Sequence, residues 1–211
     1  MARLLEHDAL QILADYGVKV PDFVVVTNPA DAALATERFG GRSVVKALIP
    51  RSGRGAAGAV RIARSPRDAE TIAASMLGER ILESLVERVL VCRLVEAEWE
   101  IFVAFESSGG GKTMLTASAL GGIDAGLVRD RDPDVFVRRP LEEGVGMSEY
   151  LAREVAGDLG LGVHESAALV PALQGMYRAF VGSDASLLEV NPLIVTVGPS
   201  AIAATAVLLV N

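Results

Sequence analysis

The chain has 211 residues, 51% hydrophobic and 22% charged, which suits one domain or two intimate subdomains with a sizeable core and excludes a disordered segment. Its net charge of -7 argues against a nucleic-acid surface spread over the molecule, though not against one local basic pocket. A single cysteine, Cys92, permits no internal disulfide and fits a reducing compartment.

The opening "MARLLEHDALQ" lacks the long apolar core and cleavage site of a secretory signal. Leu4, Leu5, Leu10, Ile12, Leu13 and Tyr16 fit a helical face that stops at Gly17. "VKVPDFVVVT" reads as a strand entered through Pro21. A helix follows over "PADAALATERF", capped by Thr27 or Asn28, with Pro29 in its first turn and Gly40–Gly41 at its end. "SVVKAL" and "GAVRIA" are strands, with the glycine-rich loop "IPRSGRGAAG" between them. Ser65 and Pro66 repeat the cap-and-proline device before the next helix. "RVLVCRLV" and "EWEIFVAFE" are strands, and "KTMLTASAL" pairs with the second of them. Ser148 caps a helix over "EYLAREVAGDLG", and "HESAALVPALQGMYRAFV" is another, with an interruption expected near Pro171. "ASLLEVNPLIVTV" and "SAIAATAVLLV" close the chain as two strands joined at Gly198–Pro199. The last run is too short to span a bilayer and reads as a buried strand. A cytoplasmic protein without membrane or nucleic-acid partners is expected. Helices and strands are mixed without regular alternation, which predicts an α+β fold with a small front half and a larger back half.

Three stretches carry chemistry. In the first, Gly53, Gly55 and Gly58 let backbone N–H groups approach a ligand, with Arg51, Arg54 and Lys46 supplying charge. Such a loop suits a polyphosphate; it equally suits a mobile, solvated hairpin. In the second, "LLEVNPL", Glu189 and Asn191 stand two apart on one strand and so share a face. A carboxylate beside an amide oxygen makes a hard-ligand pair suited to magnesium, or a polar outer side of an edge strand. Pro192 is expected to end regular pairing there. In the third, Glu98 and Glu100 form a similar but weaker pair. "SSGGGKT" looks like the end of a phosphate-binding P-loop but lacks the required upstream glycine, where Glu106 stands, and precedes a strand instead of a helix. It reads as a turn. His7 and His164 have no metal-like partner at short spacing, and Trp99 reads as packing.

"LLEHDALQILADYGVKVPDFVVV", "VVKALIPRSGRGAAGAV", "TASALGGIDAGLV", "YLAREVAGDLGL" and "LLEVNPLIVT" together resemble the nucleotide-binding part of the ADP-forming acyl-CoA synthetases. The likeness is to the succinate–CoA ligase β subunit, with the ADP-forming acetate–CoA ligase β subunit as a shorter relative. The resemblance implies an ATP-grasp fold, with two subdomains and the nucleotide site between them. The small subdomain would cover about residues 21–94 and the large one 1–20 plus 95–211. It implies ATP or ADP and Mg2+ as cofactors, and a carboxylate substrate. It implies a CoA-binding α-like partner whose histidine is phosphorylated before the phosphate passes to the carboxylate. Carried over by position, Lys46 would touch phosphates under a lid made by Gly53, Arg54 and Gly55. Cys92 and Val95 would lie on the strand that reads the adenine, and Glu100 would be an acid at the nucleotide site. Asn191 and Thr205 would be metal ligands, and Glu189 would be the catalytic acid near the phosphohistidine. Thr205 stands where the family has an aspartate, Val207 where it has a lysine, and Cys92 where it has an acid. Set against the resemblance, the family's C-terminal CoA-ligase domain is expected to be absent from this chain. The aspartate's loss keeps a degenerate, non-catalytic scaffold open as an alternative, and a stand-alone carboxylate–amine ligase is a third reading.

Overall fold

The computed structural model describes residues 1–51, 53–107, 112–122, 132–142 and 144–211. They divide into two compact units, Pro21–Leu94 and the combination of Met1–Val20 with Val95–Asn211. The chain opens in the second, larger unit with β1 (Ala2–Arg3) and α1 (Glu6–Asp15). Ala9, Leu10 and Leu13 bury one side of α1, as its 3.6-residue spacing requires.

The smaller unit runs through β2 (Phe23–Val26), α2 (Pro29–Arg38), β3 (Ser43–Ala47), β4 (Val60–Ala63) and α3 (Pro66–Ala74). A two-strand hairpin, β5 (Arg80–Ile81) and β6 (Ser84–Leu85), leads into β7 (Val89–Arg93). The antiparallel sheet has the order β2-β7-β3-β4. Both helices start as their sequences dictate. Asn28 accepts from the Asp31 N–H and Ser65 from the Asp68 N–H, with proline in each first turn. One core gathers Ala32, Ala35, Ile72 and Met76 from the helical side onto Val45, Ala47, Val89 and Val91 of the sheet. Helices α2 and α3 therefore cover one face of this sheet. The alternate residues Val44, Lys46, Leu90 and Cys92 belong to its other face.

The larger unit continues with β8 (Trp99–Ser107), β9 (Thr113–Ser118), a 3-10 turn at Pro133–Val135 and β10 (Val137–Leu141). Then come α4 (Glu149–Asp158), α5 (Val163–Gly182), β11 (Ala185–Val195), β12 (Ala201–Ala203) and β13 (Ala206–Val210). The sheet order is β1-β13-β11-β8-β9-β10, with β12 also paired to β11. Leu188, Val190, Ile101, Val103, Phe105, Leu115 and Leu208 are fully buried on the side packed by helices. Phe105 there meets Tyr177 and Phe180 of α5, with ring centroids 5.8 and 6.2 Å away.

Three expectations need correction. Helix α5 is continuous from Val163 to Gly182 with Pro171 inside it. Buried Leu169, Val170, Ala172 and Leu173 on both sides of the proline hold the helix together despite the missing donor. The final apolar run is two strands, β12 and β13, separated at Ala204–Thr205. Pro192 does not end β11: pairing to β8 shifts register between Val190 and Leu193 and then resumes through Val195. The glycine turn proposed within "SSGGGKT" falls largely outside the described residues, but strand β9 does follow it and pairs antiparallel with β8.

Candidate functional site

Residues expected to bind nucleotide fall on both units. In the smaller unit, Lys46 lies on β3 opposite Val60 of β4 and Leu90 of β7, and it is only 3% exposed. Lysine is seldom buried so deeply, because its ammonium must keep polar company. Cys92 is one step along the same face, opposite Val44 and Phe23, and is also buried. Lys46 and Cys92 thus share the face of the small sheet that its helices leave uncovered.

The glycine-rich loop joins β3 to the edge strand β4. It is a compact coil of turns: Ala57 N–H donates to Gly53 O, Gly58 N–H to Gly55 O, and Ala59 N–H to Arg54 O. Gly53 and Gly58 take φ of 72° and 71°, which only glycine adopts without strain. Gly55 is exposed. Arg54 is not: its side chain folds under the loop and donates from Nη1 to Ala47 O at 3.3 Å. Arg51 is exposed and its Nε donates to Ser84 Oγ at 3.2 Å, tying the loop's start to β6. Of the two loop arginines, then, one is built into the loop's base and the other reaches sideways.

In the larger unit, the uncovered sheet face is defined by alternation. Glu189 pairs with Val207 of β13 and Ala104 of β8. The β11–β13 pairing of Val190 with Ala206 continues without a shift into the β11–β12 pairing of Leu193 with Ala203. Asn191 therefore stands opposite Thr205 and Pro192 opposite Ala204, whose N–H donates to Pro192 O at 3.1 Å. Opposed residues of antiparallel strands share a face, so Glu189, Asn191, Thr205 and Val207 form one polar-to-apolar quartet. All four are half-buried. Against β8, Asn191 and Pro192 together face Phe102, a bulge that turns the Asn191 side chain away from the regular ladder. The Asn191–Pro192 peptide is cis.

Sequence reasoning missed two residues here, Gly121 and Gly122. Gly121 N–H donates to Glu100 O at 2.8 Å, and Gly122 N–H donates to Asn191 Oδ1 at 2.7 Å. A Cβ at Gly121 would lie 2.6 Å from the Glu100 carbonyl carbon, and one at Gly122 would fall on Glu100 Oε2. The adjacent glycines in "LGGID" were the available signal; their contact with Asn191, 69 residues on, was not. The rest of that motif, residues 123–128, lies outside the described residues. Glu100 is exposed at the second position of strand β8, and Val95, the first residue of this unit's second segment, is half-buried.

Beyond Glu189 the same face opens into a cavity of about 300 Å3 lined by Phe102, Ala104, Glu106, Met114, Thr116 and Arg138. Register places Arg138, Thr116, Ala104 and Glu189 in one row across four strands. Among the described residues no cluster of three His, Cys, Asp or Glu side chains could hold a metal. The oxygens of Asn191, Thr205 and Glu189 are nevertheless a hard donor set, which fits magnesium, a cation that keeps waters and substrate phosphates for its remaining positions. His7 contacts Asp8 at 3.5 Å and is partly buried, while His164 is exposed at the start of α5. No helix among the described residues is long and apolar enough to cross a membrane.

The model of an ATP-grasp domain matches residues 3–195. The chain belongs to the ATP-grasp family. Among curated relatives, the ADP-forming succinate–CoA ligase β subunit of Chloroflexus aggregans is 37% identical over 195 residues, covering 92% of this chain and 51% of that protein. The GDP-forming counterpart of Thermus thermophilus is 35% identical over 204 residues, covering 96% and 54%. This ATP-grasp chain thus spans about half the length of the curated relatives it matches. Among solved structures, acetyl-coenzyme A synthetase 1 of Candidatus Korarchaeum cryptofilum superposes with a TM-score of 0.79 at 19% identity, covering 99% of this chain and 93% of that one. ATP citrate lyase of Methanothrix soehngenii superposes with a TM-score of 0.72 at 15% identity, covering 98% and 50%. These likenesses show the shared ATP-grasp fold.

Proposed function

We propose that the chain is the nucleotide-binding, β-like part of an ADP-forming carboxylate–CoA ligase. It would act with a CoA-binding α-like partner that supplies the histidine, through a phosphohistidine and an acyl phosphate. The observation that carries this reading is the coincidence of two independent alignments. The residues carried over by position, Glu189, Asn191 and Thr205, meet on one sheet face by strand register, and relatives that are succinate–CoA ligase β subunits match most of the chain.

In this reading Lys46 neutralises phosphate oxygens from a buried position, and the backbone N–H groups of Gly53, Arg54 and Gly55 bond them from the loop. Arg54 supports the loop from beneath. Cys92 and Val95 border the base, and Glu100 meets the nucleotide at the start of β8. Asn191 Oδ1, the Thr205 hydroxyl and Glu189 would hold magnesium, which would supply positive charge to offset that of the phosphates. Glu189 shares a row across the sheet with Thr116 and Arg138, which line the cavity, and this leaves room for the arriving acceptor group.

One observation favours a second reading. Thr205 supplies a neutral oxygen where the family's aspartate supplies a charged one, so a chain that has kept the fold while losing catalysis fits the same geometry. Labelled ATP separates the two. Incubation with the α-like partner should move the terminal phosphate onto an acid-labile site of the partner. Nucleotide binding without transfer, or no binding, favours the scaffold; turnover with no partner present favours a stand-alone ligase.

A further inference from the structure

The Gly121–Gly122 turn has a property that its sequence does not explain: it touches two separate candidate ligands with consecutive N–H groups. Gly121 N–H donates to the carbonyl of Glu100, and Gly122 N–H donates to the side-chain oxygen of Asn191. The turn is pressed down hard enough to exclude side chains. A Cβ on Gly121 would sit 2.6 Å from Glu100 C and 2.7 Å from Ile101 C, and Gly122 holds φ at 72° with Glu100 Oε2 in the place of a Cβ. The Asn191 side chain reaches the turn because β11 bulges against β8 at this point.

An asparagine amide has two chemically different ends of almost the same shape, an accepting oxygen and a donating NH2. A backbone N–H can only donate. Opposite Gly122 the NH2 end would set donor against donor, so the N–H admits the oxygen alone. An amide oxygen carries two lone pairs, so accepting from Gly122 does not bar Oδ1 from a second partner. We propose that the Gly122 N–H is a positioning group for the metal site: it selects the amide orientation in which Asn191 offers oxygen, and not nitrogen, to a divalent cation shared with Thr205. Gly121 anchors the same turn to Glu100, so the candidate nucleotide acid and the candidate metal ligand are held by one two-residue clamp. This rests on the magnesium reading given above and adds the residue that makes an asparagine serve there.

Aspartate has oxygen at both ends and needs no such selection, which gives a test that mere structural damage cannot mimic. Calorimetric titration of the full chain with ADP, with and without magnesium, would be compared for wild type, Gly122→Ala, Asn191→Asp and the double variant. The expected result is that Gly122→Ala removes at least tenfold of the magnesium-dependent tightening when residue 191 is asparagine, and less than threefold when it is aspartate. Equal losses in both backgrounds mean that the turn matters only for folding and overturn the proposal. A second measurement needs neither metal nor nucleotide and does not depend on Gly122→Ala folding. Hydrogen exchange at the Gly122 amide should speed up at least tenfold in Asn191→Leu while the Val103 amide in the β8 ladder is unchanged. Unaltered exchange at Gly122 also overturns the proposal. If the exchange result holds but wild type shows no magnesium dependence, the clamp exists and aims at no metal, and it is the magnesium reading that has failed with the proposal.

Discussion

Thr205 stands directly across the sheet from Asn191, at the break where β13 gives way to β12. The antiparallel register runs unshifted from Glu189–Val207 to Val195–Ala201, so the pairing is fixed on both sides of the break. A hydroxyl therefore occupies the position opposite Asn191 from which a neighbouring side chain could share a cation with it. A hydroxyl oxygen can coordinate magnesium, but it contributes no charge to offset that of the ion.

Restoring that charge should tighten the site. Thr205→Asp combined with Val207→Lys is expected to raise nucleotide affinity about tenfold in magnesium, roughly 1.4 kcal/mol, with little change when magnesium is withheld. Titration calorimetry under the two conditions checks this. A gain of equal size without magnesium would show that the new charges act on the nucleotide or the fold and not through a cation.

Lys46 and Arg51 should differ sharply. Lys46 is buried on the uncovered face of the small sheet, whereas Arg51 is exposed and bonded to Ser84. A charge-assisted bond to phosphate contributes roughly 1.5–3 kcal/mol, so Lys46→Ala should weaken ADP by about ten- to a hundredfold. Arg51→Ala should stay within about twofold. Equal and negligible effects would remove the phosphate-binding role from this loop altogether.

The chain's punctuation made much of the fold legible. Asn28, Ser65 and Ser148 all accept the N-terminal backbone bonds expected of cap residues. The strand face of "LLEVNPL" follows from period two and survives the bulge on the β13 side, because the insertion is taken up only against β8. Other parts gave no local signal. The β5–β6 hairpin turns through Leu82 and Glu83 at φ of 49° and 64°, where glycine or asparagine would have announced a turn. Strand β10 carries Pro140, a residue tolerated there because β10 is the sheet edge among the described residues, where a missing donor disrupts no ladder. The burial of Arg54 and the bond from Gly122 to Asn191 are tertiary facts that sequence spacing does not contain.

The two kinds of glycine should respond differently to alanine. Gly121→Ala must push backbone atoms of β8 and should cost about 1–3 kcal/mol of stability, as overpacking does. Gly55 has open space around the Cβ position and no positive φ, so Gly55→Ala should stay within about 0.5 kcal/mol. Thermal unfolding of the two variants decides it. Equal destabilisation would mean that the turn is not pressed against Glu100.

Helix α5 offers a test of the fold alone. Pro171 is exposed inside twenty helical residues. Pro171→Ala restores a backbone donor without removing a buried contact, and should raise stability by about 1–3 kcal/mol. A loss of stability on unfolding in urea would mean that the proline serves a break in the helix.

The central claim is that this chain binds a magnesium nucleotide. Its most direct test is titration of the wild-type chain with ADP in the presence and absence of magnesium. The account predicts binding on the order of micromolar that tightens when magnesium is added. Absence of binding under both conditions would contradict it and leave the glycine loop and the Asn191–Thr205 pair as features of the fold without a ligand.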